Sequence, residues 1–267
     1  MHILDSDYIE LESHRRAQLA ALQWQTVTKI SKKEIRRAHL KFVYKIYLIS
    51  LLLSVLVAAQ WWFVTEIKAV QIFVIIYNYI ILAIVFVHFL MLTLLQYMLR
   101  FKTERSKSIV ITYIFLMVEF GSITISRPTV ESDLSTFLYA SLFTVAMWGI
   151  SFILATIGQT DTDRSSVYLS LWSQKYYLAT STSLLMTMEF SFISVQISIS
   201  LFMVFFISIF FIIWGRSLGS LKFYREESKF CKYYIILNFL NIISLFANSI
   251  ILIQRIVDQD SDEIDEV

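Results

Sequence analysis

Residues 236–253 read ILNFLNIISLFANSIILI, an apolar run that contains three asparagines. Asn238, Asn241 and Asn248 are spaced by three and then seven residues, which places them on one face of a helix. A run of about 20 apolar residues is long enough to cross the hydrocarbon core of a bilayer. Polar groups in a spanning helix avoid lipid chains. This face is therefore predicted to turn towards other helices or a hydrated cavity.

The rest of the chain has the composition of a polytopic membrane protein. Of its 267 residues, 57% are hydrophobic and 16% are charged, whereas soluble domains carry about 25% charged residues. The long apolar runs predict an all-α, seven-transmembrane-helix bundle with segments at 42–64, 70–98, 109–125, 134–157, 167–188, 192–214 and 234–253. The predicted regions are a basic N-terminal region at 1–41, the transmembrane domain at 42–254 and an acidic C-terminal tail at 255–267.

The distribution of basic residues predicts the orientation of these segments. If the N-terminus is cytosolic, 18 Lys and Arg residues fall in the cytosolic connections, and three, Lys68, Arg127 and Arg255, fall on the other side. Cytosolic loops of membrane proteins carry an excess of Lys and Arg. The bias therefore predicts seven spans, a cytosolic N-terminus and a lumenal or extracellular C-terminus. It disfavours a G-protein-coupled receptor, whose N-terminus is outside.

The sequence contains no recognisable catalytic set. All nine aspartates lie outside the predicted spans, whereas an intramembrane aspartyl protease needs two that share a proton. No His, Cys and Asp cluster has the spacing of a metal site, and there is no glycine-rich phosphate loop or nucleophile elbow. We therefore expect no enzymatic activity, no cofactor and no nucleic acid among the partners.

Two ionisable residues within the predicted spans are candidate site residues. Glu119 lies about ten residues into the third segment, which predicts a position near the middle of the bilayer. It is either a protonated carboxyl bonded to a neighbouring helix or a cation ligand or proton-titrating gate. His88 is a candidate partner for Glu119, and it is either a structural histidine or a pH sensor. Glu189 is predicted to lie at the membrane interface.

The amide row allows two interpretations. One is interhelical hydrogen bonding, which is worth on the order of 1 kcal/mol for each bond. The other is the polar lining of an ion path, in which Asn238, Asn241 and Asn248 join Glu119 and His88 as candidate ion-path or gate residues.

Four phrases of the sequence resemble, in order, motifs of the transmembrane Bax inhibitor motif family, also called the Lifeguard family. The phrases IRRAHLKFVYKIYLISLLLSVL and IFLMVEFGSI resemble the entry to the family's first helix and its third helix. The phrases ATIGQTDTDRSS and LNFLNIISLF resemble the turn after its fourth helix and its last helix. The resemblance covers about residues 35–253 and implies a seven-helix bundle of the Bax-inhibitor-like type. The matching residues are Lys41, Val43, Tyr44, Glu119, Gly121, Gln159, Thr160 and Asp163.

The chain departs from the family at two positions. The family has an aspartate at the end of its sixth helix and another in its last helix, and Gly215 and Asn241 stand at these positions. The two family aspartates form a proton-sensitive pair that is associated with a calcium leak. Two neighbouring carboxylates can titrate as a coupled pair, but a glycine and an amide cannot. The two replaced positions imply that this chain lacks the family's pH sensor.

The resemblance also implies a function and a location. It implies a calcium leak that regulates calcium homeostasis and apoptosis. The implied location is an internal membrane, either the endoplasmic reticulum or the Golgi, rather than the plasma membrane. The expected partners are the lipid bilayer, calcium ions and cell-death regulatory membrane proteins. The alternative is a non-conducting membrane adaptor that modulates cell-death or stress-response partners.

Overall fold

The computed structural model describes residues 32–76, 78–100, 107–157, 166–189 and 192–265, and in these ranges the chain is helical without any strand. The prediction of an all-α fold is therefore confirmed for the described residues. Contacts divide the chain into two units, Met1–Lys41 and Phe42–Val267. The helices are α1 (Lys32–Val64), α2 (Lys68–Ile76), α3 (Asn78–Arg100), α4 (Lys107–Ser122), α5 (Ser126–Glu131), α6 (Leu134–Ile157), α7 (Ser166–Thr187), α8 (Ile193–Leu218), α9 (Leu221–Glu227) and α10 (Cys231–Asp265).

Several of these helices are long and apolar enough to cross a membrane. In the described part of the chain, four meet this condition, within Glu34–Val64, Leu134–Ile157, Ile193–Leu218 and Ser228–Gln259. A fifth candidate is the pair Lys68–Ile76 and Tyr79–Leu94, which is bent by 78° at its break. These helices are consistent with a multi-pass membrane protein that has four or five candidate spans. The number of seven spans stays a prediction.

Three hydroxyl groups bond to the backbone at the point where the predicted third span is interrupted. Helix α4 has 16 residues and is followed by a 3₁₀ turn at Ile123–Ile125 and by the short helix α5. Ser122, Thr124 and Ser126 each donate a hydrogen bond to the backbone carbonyl three residues earlier, at 2.6–2.7 Å. Hydroxyls that bond to nearby carbonyls compete with the regular helical ladder. These three bonds accompany the change from α-helix to 3₁₀ turn.

Helix α10 is the centre of the bundle. Every residue from 233 to 251 is buried, and 94% of the most apolar stretch of this helix is inside the protein, compared with 22–39% for the other three long candidates. Helices α4, α6, α7 and α8 all pack against α10. A helix that is apolar on every side is buried by its neighbours, so the quoted run 236–253 forms the core around which the bundle is built.

The outer helices present apolar side chains to their surroundings. On α8, Phe202 and Phe205 are exposed, and on α6, Leu138 and Leu142 are exposed. In water, an apolar surface of this kind would favour aggregation or association. In a bilayer it would contact lipid chains, as the composition of the chain predicts.

Charged residues gather at one end of the bundle. Arg127 on α5 donates hydrogen bonds to Glu131 at 2.9 Å and to Glu189 at 2.5 Å. Arg255 in the C-terminal part of α10 lies 3.7 Å from Glu131 and donates to Asp258 at 2.8 Å. We call these five residues the loop-end ion cluster. Arg127 and Arg255, which the charge bias assigns to the same side of the membrane, therefore lie together.

Asp133 caps the N-terminus of α6, and this cap yields a prediction. Its Oδ1 accepts a hydrogen bond from the backbone N–H of Thr136 at 2.9 Å, and its Oδ2 accepts one from the Ser135 hydroxyl. These bonds favour the carboxylate and lower the pKa of Asp133 from 3.8 to about 2. We expect Asp133→Ala to lower the free energy of unfolding by about 1 kcal/mol at neutral pH.

The pH dependence distinguishes the charge of this cap from its geometry. Because the pKa of Asp133 is depressed in the folded state, its charge stabilises the folded protein above about pH 4. This charge-dependent part of the stability is lost as the pH falls towards 2. Unfolding in detergent between pH 7 and pH 2 measures it. Asp133→Asn is the control, since an amide also caps but does not titrate. An Ala variant as stable as the wild type at pH 7 would contradict the prediction.

Candidate functional site

The amide row of α10 lies inside the helix bundle. Asn238 is 0% exposed, and Asn241 and Asn248 are each 2% exposed. They are buried because α10 is surrounded on every side, so no face of it between residues 233 and 251 is available to lipid.

The three amides make different contacts. The Nδ2 group of Asn238 donates a hydrogen bond of 2.5 Å to the Ser50 hydroxyl on α1, and that hydroxyl donates to the Tyr47 carbonyl at 3.1 Å. The Nδ2 group of Asn248 donates at 2.8 Å to the Ser244 carbonyl of its own helix. Asn238 therefore links two helices, whereas Asn248 is satisfied within α10.

Two polar atoms of the row are buried without a partner. The Oδ1 of Asn238 and the Nδ2 of Asn241 have no hydrogen-bond partner among the described residues. Most buried polar side-chain atoms in proteins are hydrogen-bonded, and each exception calls for an explanation. An unpaired acceptor and an unpaired donor thus stand one helical turn apart on the central helix, about 4.5 Å along its axis.

The Glu119 carboxyl makes its hydrogen bond with α1 and not with this row. Its Oε2 accepts a hydrogen bond of 3.3 Å from the Nε2 of Gln60 on α1. Glu119 is three residues before the end of α4, and Gln60 is four residues before the end of α1. At the same helix ends, Trp61 Nε1 donates to the Ser122 hydroxyl at 3.1 Å. The carboxyl is therefore near the helix termini, not midway along a continuous helix as expected from segment 109–125.

His88 is buried in a different contact. Its Nδ1 lies 3.0 Å from the Tyr177 hydroxyl on α7, and its ring meets the Tyr177 ring edge-on. A Cβ placed on Gly121 would lie 3.2 Å from its Cε1 atom, so α4 approaches closely here. Two residues along a helix correspond to a rotation of about 200°. Hence α4 turns Gly121 to His88 and Glu119 away from it, and the expected pairing of Glu119 with His88 does not occur.

Gly215 forms a close crossing of two helices. A Cβ atom at this position would lie 2.4 Å from the Ser151 carbonyl oxygen and 2.8 Å from its hydroxyl. The Ser151 hydroxyl donates to the Phe211 carbonyl at 2.8 Å and lies 2.7 Å from the Tyr47 hydroxyl. Helices α1, α6 and α8 thus meet around Ser151. Among the described contacts, Gly215 is joined to α6 and not to Asn241.

The sequence did not single out the partners of these residues. Tyr47, Ser50, Ser151 and Tyr177 all bond to another helix from inside an apolar segment. A tyrosine in a buried helix carries a hydroxyl that usually finds a partner, and this was the available signal. The family-like residues Gln159, Thr160 and Asp163 lie outside the described residues.

The described residues contain no group of three or more His, Cys, Asp or Glu side chains that could hold a metal ion. The comparisons with family models, curated proteins and solved structures gave no match. The apolar helices and the buried amide row are consistent with a helical multi-pass membrane protein. The relation to the Bax-inhibitor-like family remains a hypothesis based on the resemblance of motifs.

Proposed function

We propose that this protein is a membrane cation leak of the Bax-inhibitor-like type, described here in a closed conformation. Calcium is the ion that the family resemblance implies, and regulation of calcium homeostasis and apoptosis is the implied role. The observation that carries the proposal is the pair of unpaired polar atoms on the central helix, Asn238 Oδ1 and Asn241 Nδ2.

The free-energy cost of leaving these two atoms unpaired favours hydration of the amide row. A buried polar atom without a partner costs about 1–3 kcal/mol, and a water molecule or a cation that reaches it recovers part of that cost. Amide oxygens are suitable ligands for Ca²⁺, and the Asn238 Oδ1 is unpaired. A small separation of α10 from α1 at the Ser50 contact would open this oxygen to a hydrated path.

The same chemistry predicts how the leak responds to pH. Asn238, Asn241 and Asn248 do not titrate in the physiological range, and Gly215 replaces the second aspartate of the family pair. The hydrogen-bond partner described for the Glu119 carboxyl is Gln60, which is outside the amide row. Closure of the α10 row would then be insensitive to pH.

A liposome assay tests this proposal. We expect calcium-loaded vesicles with the purified protein to release calcium faster than empty vesicles, at equal rates at pH 7 and pH 6. Asn241→Leu should reduce the release to the level of empty vesicles, because it puts an apolar side chain one helical turn from the Asn238 oxygen and so opposes hydration of the row. Asn248→Leu is the matched control, since that amide is satisfied by its own helix, and it should conduct like the wild type.

One result would contradict the leak, and two others would contradict its path along the amide row. Release from wild-type vesicles that equals release from empty vesicles would exclude conduction. Unchanged release by Asn241→Leu would exclude the amide row as the path, and loss of release in Glu119→Gln alone would place the path at Glu119.

The second candidate is a non-conducting membrane adaptor. The contact between Gly215 and Ser151 favours it, because it leaves no room for a side chain between α6 and α8. Such close packing suits a protein that does not open a path between these helices. An adaptor should show no calcium release but should capture a specific membrane partner in crosslinking. That capture should survive Glu119→Gln and should be lost when residues 1–34 are deleted. Absence of any specific crosslinked partner would count against it.

A further inference from the structure

A groove lies between α1, α6 and α10, separate from the amide row. Its volume is about 70 Å³, and its walls come from all three helices. This is several times the roughly 10–15 Å³ that a single water-sized group requires. The floor is formed by α10, where Ile243 and Phe246 are buried.

The walls of the groove offer no free hydroxyl donor. Ser54, Ser141 and Thr144 line it, but each donates its proton at 2.8 Å to a carbonyl four residues earlier in its own helix. Trp148 also lines the groove, and its buried indole N–H has no hydrogen-bond partner among the described residues. This single donor is fewer than the roughly two to four polar partners that a buried water needs, and an otherwise apolar cavity stays dry and binds apolar ligands. The chemistry of the walls thus selects a hydrocarbon occupant over water or an ion.

The mouth of the groove opens between exposed apolar side chains of α1 and α6. Val55 on α1 and Val145 on α6 both line the groove, and their side chains are 56% and 47% exposed. The groove is therefore continuous with the apolar outer surface of α1 and α6. In a bilayer this surface is covered by acyl chains, and a void next to them would forfeit the dispersion contacts of its walls.

We propose that the groove between α1, α6 and α10 is a binding site for one acyl chain of a membrane phospholipid. The chain enters between Val55 and Val145 and packs against Ile243 and Phe246 of the central helix. This site does not depend on whether the protein conducts ions.

The test uses a photoreactive lipid in reconstituted vesicles. The probe is phosphatidylcholine with a diazirine in the middle of one acyl chain, present in trace amount in phosphatidylcholine vesicles. After illumination, mass spectrometry maps the labelled peptides. We expect labels on the groove residues of α1, α6 and α10, including the otherwise buried Ile243 and Phe246.

Two variants on α6 provide the contrast. Val145→Trp places a large side chain at the mouth, and we expect groove labelling to fall on the order of tenfold. Ile150→Trp is the matched control, because Ile150 is 46% exposed and lies about 140° around the helix from Val145. It should leave groove labelling unchanged. Size-exclusion profiles verify that both variants are folded.

Three results would overturn the proposal. The first is labelling spread evenly over exposed helix faces, with none on Ile243 or Phe246 and no effect of Val145→Trp. The second is labelling of the groove by a photoreactive sterol but not by the phospholipid. The third is crosslinking of groove peptides to a second copy of the chain in place of lipid.

Discussion

Replacing Gly215 by alanine is expected to lower the free energy of unfolding by about 1–3 kcal/mol, because overpacking of a close contact costs this much. The added methyl group would lie 2.4 Å from the Ser151 carbonyl oxygen. That oxygen belongs to the backbone of α6, so it cannot move aside by a change of rotamer. The two helices must separate, and the hydrogen bonds that Ser151 makes to Phe211 and Tyr47 would lengthen with them. Unfolding in detergent micelles, followed by circular dichroism, measures the effect.

Gly149 provides the control for this variant. It lies inside α6, as Gly215 lies inside α8, but a Cβ atom at its position meets nothing within 4 Å. Alanine is favoured over glycine inside a helix by about 0.5–1 kcal/mol, so Gly149→Ala should be neutral or stabilising. If Gly215→Ala and Gly149→Ala have the same free energy of unfolding, α6 and α8 have room for a methyl group at position 215, and the prediction is wrong.

The same contact bears on the departure from the Bax-inhibitor-like pattern. An aspartate at position 215 would place its Cβ in the same forbidden space, with a carboxyl group beyond it. A glycine at this position permits α6 and α8 to meet at Ser151. A member of the family with an aspartate here would need a different separation of the two helices. The close crossing of α6 and α8 is thus a consequence of the glycine at this position.

The sequence predicted the helical class and the central role of residues 236–253 for a simple physical reason. Long apolar runs can satisfy their backbone groups in a membrane as helices, and the asparagines required protein neighbours. The break after α4 was less accessible. Ser122, Thr124 and Ser126 bond to nearby carbonyls at this break, and composition does not reveal such local bonds.

The geometry of the candidate site depended on contacts that are distant in sequence. Asn238 bonds to a serine 188 residues away, and Glu119 bonds to a glutamine 59 residues away. Periodicity identifies which residues share a helix face, but it does not identify the partner helix. For this reason the burial of the amide row could be anticipated, whereas the separation of Glu119 from His88 could not.

Replacing Arg127 by glutamine removes the central cation of the loop-end ion cluster. We expect it to lower the free energy of unfolding by about 1–2 kcal/mol, which lies between the values for exposed and for buried ion pairs. Burial of the guanidinium tends to lower the pKa of Arg127, but its bonds to Glu131 and Glu189 outweigh this and raise the pKa above its usual value. The ion pairs are therefore favourable in the folded state.

Without Arg127, Glu189 loses its ion pair with this arginine and Glu131 keeps only the 3.7 Å contact with Arg255. The connection between α5, the end of α7 and the end of α10 should then loosen. The salt dependence of stability distinguishes loss of the ion pairs from loss of packing. Salt weakens ion pairs, since the screening length falls to about 3 Å at 1 M, but it does not weaken packing in the same way. Thermal unfolding in detergent measures this effect. The unfolding midpoint of the wild type should fall as salt is added, and so should that of the control Arg216→Gln, whose arginine is exposed on α8. The midpoint of Arg127→Gln should hardly change. Equal salt dependence in all three proteins would mean that the cluster does not stabilise this end of the bundle.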